Sequence, residues 1–273
     1  MEKRTRRALA TVAIGAHGEL LTLSFPSLTR FAETHGYQLE VCTRSLDVTK
    51  PPAWTKLLFI IDLMNRYEEI FWIDSDAIFL ETSKDIYDEV DPNSELSWVY
   101  HEYENQRHPN TGVMYIRVND NTKKLFQTAN LQHDLETHPW WDQAALMRVM
   151  GIQTSDIKIS EGITTEKLKI KEQELSLSWN SIRQNSSSSP IIRHFAGEPF
   201  WIRKFLMAEY ANPEAGSSRV LQDMVMEFLV LQNHQASIVL SGIAPKDDPP
   251  KIYFFVDQFK KLSQSIRNAV RPK

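Results

Sequence analysis

Ala8 to Ala16 is a short apolar run closing on Gly15-Ala16-His17-Gly18, a pattern that predicts a strand passing into a loop. Glu19 to Gly36 carries Leu20, Leu23, Leu28 and Phe31 at helical spacing and stops at a glycine, so it predicts a helix. Gln38 to Thr43 predicts a second strand, and Pro51-Pro52 introduces WTKLLFIIDLMNRY, a helix with no wide polar face. A third strand follows in EEIFWIDSDAIFL, Glu68 to Leu80. Such a β-α-β-α-β order implies parallel strands joined by right-handed crossovers.

Farther on the pattern changes. Leu96 to His101 and Gly112 to Val118 predict strands with no long helix between them, hence a mixed sheet. Helices are expected over Asn121 to Leu131 and Trp141 to Met150, an alternating stretch over Leu168 to Ser178, and a short strand over Ile191 to Phe195. QNSSSSP, Gln184 to Pro190, reads as a flexible connector, and its Asn185-Ser186-Ser187 as an incidental sequon. From Trp201 the chain reads as mostly helical, giving a main domain over 1–200 and a helical extension over 201–273.

Asp74 and Asp76 interrupt the most apolar part of this pattern. In an extended chain residues two apart share a side, and two carboxylates in apolar surroundings repel unless something positive lies between them. A divalent cation holding a nucleotide diphosphate meets that demand, because hard carboxylate oxygens suit Mn²⁺ or Mg²⁺. A haloacid-dehalogenase-type phosphotransferase also sets two such aspartates at a strand end, but Ile78 stands where that pattern has Thr or Val. A bare turn cap is the third reading, and burial of the flanks argues against it. Ligands in open α/β sheets lie beyond the carboxyl ends of the strands, where this doublet and the Ala13–Gly15 junction both fall.

Composition narrows the partners. A formal net charge of −4 gives no footing for nucleic acid as a partner. Cys42 is the only cysteine, which excludes an internal disulfide framework and fits a reducing compartment. No apolar run is long enough to cross a bilayer, and the basic start followed by a short apolar run reads as a lead into a first strand more readily than as a signal peptide. A cytoplasmic location is the expectation.

Other segments add polar groups to the same end of the sheet. HPNTGVMYIRV places Asn110 and Gly112 in a small polar turn before a strand, where glycine lets backbone approach a ligand. WWDQAALM puts Asp142 and Gln143 at a helix start beneath Trp140 and Trp141, one of which we expect in the core and one on an acceptor surface. PIIRHFAGEPFW ends a strand at His194, with Gly197 opening the next turn.

Taken in order, IDSDAIF, NTGVMYIRV, DQAAL, LSWN and HFAG resemble the GT-A glycosyltransferases. The likeness is to the family of fungal α-galactosyl- and α-mannosyltransferases and plant xyloglucan xylosyltransferases, and it runs roughly from Ala8 to Gly197. It implies an α/β, GT-A-type (Rossmann-like) mixed central sheet flanked by helices. It implies a sugar moved from a nucleotide diphosphate donor, UDP- or GDP-linked, to a glycan or other hydroxyl acceptor, with retention and so an α-linkage. Asp74, Asp76 and His194 would hold Mn²⁺, with Mg²⁺ as the alternative. Ala13, Gly15, Lys56, Asp74, Ser75, Asn110, Gly112 and Gly197 would contact the donor, Asn110 and Gly112 lying against its sugar. Asp142 and Gln143 would face the reacting carbon, Asp142 as electrostatic support rather than nucleophile.

The chain departs from the family where relatives carry a cysteine or a lysine after HFxG. Glu198-Pro199 stands there instead, and the next bases are Arg203 and Lys204, read equally as diphosphate contacts or as a solvated helix face. Lys56 is either a donor contact or surface charge beside Trp54, and Arg117 is expected to order the sheet. A phosphatase and a non-catalytic nucleotide-sugar-binding module remain the rival functions. Over 252–273, Phe255, Phe259, Leu262, Ile266 and Val270 form one helical stripe with a basic remainder. It fits peripheral contact with an anionic membrane or a last helix packed on the domain.

Overall fold

The computed structural model of the chain describes residues 6–103, 106–153 and 167–211. The chain divides into two compact units, Met1–Ser217 and Ser218–Lys273, and every described residue lies in the first. The amphipathic stripe over 252–273 falls outside the described residues.

β1 (Arg7–Val12) runs into α1 (His17–His35), which ends where Gly36 takes the left-handed conformation at φ 70 and donates its N–H to the Ala32 carbonyl. β2 (Gln38–Cys42), α2 (Trp54–Leu63) and β3 (Glu69–Ile73) complete the expected β-α-β-α-β half, and both β2 and β3 pair parallel to β1. β4 (Ala77–Phe79) follows β3 after a turn. β5 (Leu96–Tyr103) and β6 (Gln106–Arg117) form an antiparallel pair, with β6 also antiparallel to β3. α3 (Asp120–Asn130), α4 (Trp141–Met150), β7 (Glu172–Glu174), β8 (Ile192–His194) and α5 (Phe200–Ala211) complete the described chain. The main sheet has the order β2-β1-β3-β6-β5-β7, and β4 and β8 form a separate antiparallel ribbon. This is the mixed α/β architecture expected from the sequence.

β3 shows why the sheet is buried on both faces. Ile70 and Trp72 join a core with Trp54, Leu57 and Ile60 of α2 and Leu146 of α4. Phe71 and Ile73 join another core with Leu28 and Phe31 of α1. The strand alternates between two apolar layers, so every position reads apolar. A smaller cluster of Leu20, Ile78, Phe195 and Met207 ties α1 and α5 to the β4–β8 ribbon.

Three local expectations change. His108 to Thr111, expected as a turn, belongs to β6. One step along β5, from Trp98 to Val99, crosses from Met114 to Asn110 on β6, so the intervening β6 residues bulge out. The stretch from Leu168 to Ser178 contributes only the three polar residues of β7, held beside Leu96–Trp98. The QNSSSSP segment is irregular yet tied down, because the Asn185 carboxamide accepts from the Glu102 N–H and donates to the Glu102 carbonyl.

Candidate active site

Asp74, Ser75 and Asp76 form the turn between β3 and β4, so the two acidic side chains do not share a strand face as an extended chain would require. The turn is fixed from several sides. The Asp74 N–H donates to the Gly112 carbonyl at 2.8 Å, the Ala77 N–H to the Asp74 carbonyl at 3.1 Å, and the Ser24 hydroxyl to the Ser75 carbonyl at 3.2 Å. Ser75 is itself buried, with its hydroxyl 3.3 Å from His17 Nδ1. β4 then pairs with β8 in a register that sets Ala77 opposite His194, and the Phe195 N–H bonds the Asp76 carbonyl. That ribbon brings His194 beside the doublet. One ligand atom from each of Asp74, Asp76 and His194 lies within 4.8 Å of the others. Two carboxylates and an imidazole form a donor set suited to Mn²⁺ or Mg²⁺, and the separation is compatible with one shared ion.

The positive charge expected near the doublet is supplied in part by the protein. Lys56 is buried, not a surface charge, and its Nζ lies 3.1 Å from Asp74 Oδ1 and 3.0 Å from Asp142 Oδ2 while donating to the Thr111 carbonyl at 2.7 Å. Trp72 Nε1 also donates to Asp74 Oδ1 at 2.7 Å. Burial would lower the Lys56 ammonium, but Asp142 and Asp74 outweigh it and raise the group above its ordinary value. Arg203 Nη1 sits 2.9 Å from Asp76 Oδ2, and His194 Nε2 sits 3.3 Å from Asp76 Oδ1. Burial pushes the Asp76 carboxyl up, yet His194, Arg203 and His17 hold it well below the usual carboxylate range. Lys204 turns instead to Glu19 on α1 at 2.7 Å. Of the two bases left open by the sequence, only Arg203 reaches the doublet.

Asp142 and Gln143 open α4 in the interior, both buried. Thr111, in the bulged part of β6, links them to Lys56. Its hydroxyl accepts from Lys56 at 3.2 Å and donates to Asp142 Oδ2 at 3.0 Å, and its N–H points to Gln143 Oε1 at 3.4 Å. Burial pushes the Asp142 carboxyl above its ordinary value; Lys56 opposes that push without cancelling it, and Asp74 adds to it. Trp140 packs against the core and lies 4.6 Å from the His108 ring, whereas Trp141 is 47% exposed. Trp141 also has φ 37, the left-handed region unfavourable for a bulky side chain.

Asn110 and Gly112 are engaged with the protein itself. Asn110 Oδ1 accepts from the Gly112 N–H at 2.9 Å and from Asn180 Nδ2 at 2.9 Å. A Cβ on Gly112 would stand 2.1 Å from His194 Cε1, so the ring lies flush against this glycine. Gly15 and Gly197 differ from it: both have positive φ, 61 and 74, with nothing within 4 Å of a would-be Cβ, so backbone conformation and not crowding calls for glycine there. Ala13 is buried, its N–H bonded to the Cys42 carbonyl. Arg117, at the end of β6, orders the sheet as expected, paired with Glu69 of the neighbouring β3 at 3.2 Å.

Sequence reasoning gave no role to Thr111 or Asn180, and no metal-side contact to Arg203 in particular. Asn180 was visible only as the end of LSWN. The link from Arg203 to Asp76 depends on α5 packing beside α1 and β4, which local pattern does not carry.

A family model for the galactosyl transferase GMA12/MNN10 family matches residues 16–138. The matched span holds α1, the acidic doublet and the Asn110–Gly112 bulge, and it ends before Asp142 and His194. Among solved structures, the chain is similar to a glycosyltransferase involved in the glycosylation of the major capsid of PBCV-1, with TM-score 0.57 and 13% identity over 74% of this chain and 98% of that one. It is also similar to the apo-form glycosyltransferase GlyE of Streptococcus pneumoniae TIGR4, with TM-score 0.51 and 16% identity over 82% of this chain and 64% of that one. No curated protein matches. The fold is that of the GT-A glycosyltransferases, and the chain resembles the GMA12/MNN10 family as its motifs led us to expect. Fold and family likeness together support glycosyl transfer, and neither supports the phosphatase reading.

Proposed function

We propose that the protein is a metal-dependent, retaining glycosyltransferase that moves a sugar from a nucleotide diphosphate donor to a hydroxyl of a glycan or related acceptor. The observation that carries this reading is the convergence of Asp74, Asp76 and His194 beyond the carboxyl end of β3, from segments distant in sequence. These three side chains would hold Mn²⁺ or Mg²⁺, which when bound neutralises the diphosphate as it leaves. Asp74 is the more exposed aspartate and would meet the incoming donor, while Asp76 is buried against Arg203 and His194.

Ala13 and Gly15, where β1 ends, supply the floor for the nucleotide, with Ser75 in the same layer. Gly197 leaves room for the diphosphate beside His194. Arg203 takes the place of the lysine that relatives carry after HFxG, its guanidinium already at the doublet. Asp142, buried and ionically paired with Lys56, presents a fixed negative field to the sugar carbon as positive charge develops there, and Gln143 supplies an amide beside it. That arrangement suits same-face transfer with electrostatic support. Exposed Trp141 offers an aromatic face to the acceptor.

Thermal unfolding in the presence of UDP, GDP or CMP, each with and without Mn²⁺, tests the proposal. One diphosphate nucleotide together with Mn²⁺ is expected to raise the midpoint, with little effect from either alone. A midpoint indifferent to every combination would overturn it.

A further inference from the structure

We infer that Asn180 is a positioning residue that sets the tautomer of His194, so that the neutral ring keeps its proton on Nδ1 and turns a bare Nε2 toward the acidic doublet. The orientation follows from one backbone group. The Gly112 N–H can only donate, and it donates to Asn110 Oδ1 at 2.9 Å. That oxygen's other contact, also at 2.9 Å, is Asn180 Nδ2, so the Asn180 amide nitrogen points at Asn110. The Asn180 oxygen then faces His194 Nδ1 at 2.9 Å. A carboxamide oxygen only accepts, so Nδ1 carries the proton. When the ring is neutral its other nitrogen has a lone pair, and Nε2 is the atom 3.3 Å from Asp76 Oδ1.

The carboxamide has no freedom to turn over. Asn180 is fully buried, and its backbone carbonyl is hydrogen-bonded to His101 Nε2 at 2.8 Å. The His194 N–H bonds the next carbonyl, that of Ser181, at 3.0 Å. Gly112 closes the face of the ring, leaving no space for a Cβ. The chain Gly112–Asn110–Asn180–His194 therefore converts the direction of one peptide N–H into the protonation pattern of an imidazole. Its consequence for a metal rests on the proposed function: a ring locked with Nδ1–H offers Nε2 as ligand without a tautomer change.

The test uses the full chain labelled with ¹⁵N-histidine, free of metal, with His194 assigned by its loss in His194→Gln. Two-bond nitrogen–proton correlations above the ring's titration are expected to show a protonated Nδ1 and a bare Nε2 in the wild type and in Asn110→Asp, which keeps the accepting oxygen. Asn180→Ala and Asn110→Leu are expected to give a mixture or the opposite tautomer; if Asn180→Ala does not fold, Asn110→Leu carries the comparison. Calorimetric titration with Mn²⁺ alone is expected to show about 10- to 100-fold weaker binding in the Asn180→Ala or Asn110→Leu chain. A protonated Nε2 in the neutral wild-type ring overturns the inference, as does an unchanged tautomer in both disrupting variants. A wild type with the expected tautomer but no Mn²⁺ binding overturns the metal reading and leaves the tautomer assignment standing.

Discussion

Lys56 faces two carboxylates across distances of 3.1 and 3.0 Å inside the protein, and this ammonium is the residue on which the buried polar cluster balances. Removing one partner of a buried ion pair strands the other, at a cost of about 3–5 kcal/mol. Lys56→Met is expected to lower unfolding stability by about that amount in urea denaturation, and Asp142→Asn in the same chain to restore part of it. Gly112 is the complementary case, where the demand is for space. Gly112→Ala places a methyl within 2.1 Å of His194 Cε1, so the ring must move. Mn²⁺ binding followed by calorimetry is expected to weaken at least tenfold, roughly the range for disturbed metal-ligand support, while the far-ultraviolet circular dichroism stays that of the wild type. Neither role shows in the sequence. Lys56 reads from sequence equally as a donor contact or as surface charge, and the glycine's neighbour is a histidine far along the chain.

Elements whose signals are local were legible. Gly36 ends α1 because only a glycine takes φ 70 there without strain, and α4 runs over Trp141–Met150 as its apolar pattern indicates. Gly112 to Val118 was legible as a strand, but the first half of β6 was not, because Pro109 and Asn110 are turn-forming residues and their strand conformation comes from pairing with β5. β7 was hidden for a related reason: Glu172, Gln173 and Glu174 carry no strand signature beyond their partner. The Asp74–His194 meeting depends on β4 pairing with β8, a contact no local window contains. Trp141, at the start of α4, holds local backbone strain, since a non-glycine residue with positive φ costs about 1–3 kcal/mol. Trp141→Gly is expected to leave the melting temperature level or raised while increasing the acceptor KM; a clear fall in melting temperature would show that the ring stabilises the helix start.

At the scale of the whole chain, acid stability is set partly by His101. Burial, only partly offset by its bond to the Asn180 carbonyl, lowers its pKa from the ordinary 6.5 to about 4. The unfolded chain therefore takes up this proton first as pH falls. Stability is complete above about pH 6.5, declines between there and pH 4 by roughly 3 kcal/mol from this group, and then levels off. Urea midpoints at pH 7.5, 5 and 4 in wild type and His101→Gln are expected to diverge, with the variant losing much less on acidification. Among the described residues no helix is long and apolar enough to cross a membrane.

The β4–β8 ribbon carries a consequence for biosynthesis. Asp76 emerges early in translation, but the strand that delivers its imidazole partner is made near the end of the described chain. A nascent polypeptide halted after α4 would hold β1, β3 and β6 with their sheet partners and yet lack a third ligand. Under the proposed function, the three-ligand set is thus completed late in the life of each molecule, and incomplete products of synthesis are born without it.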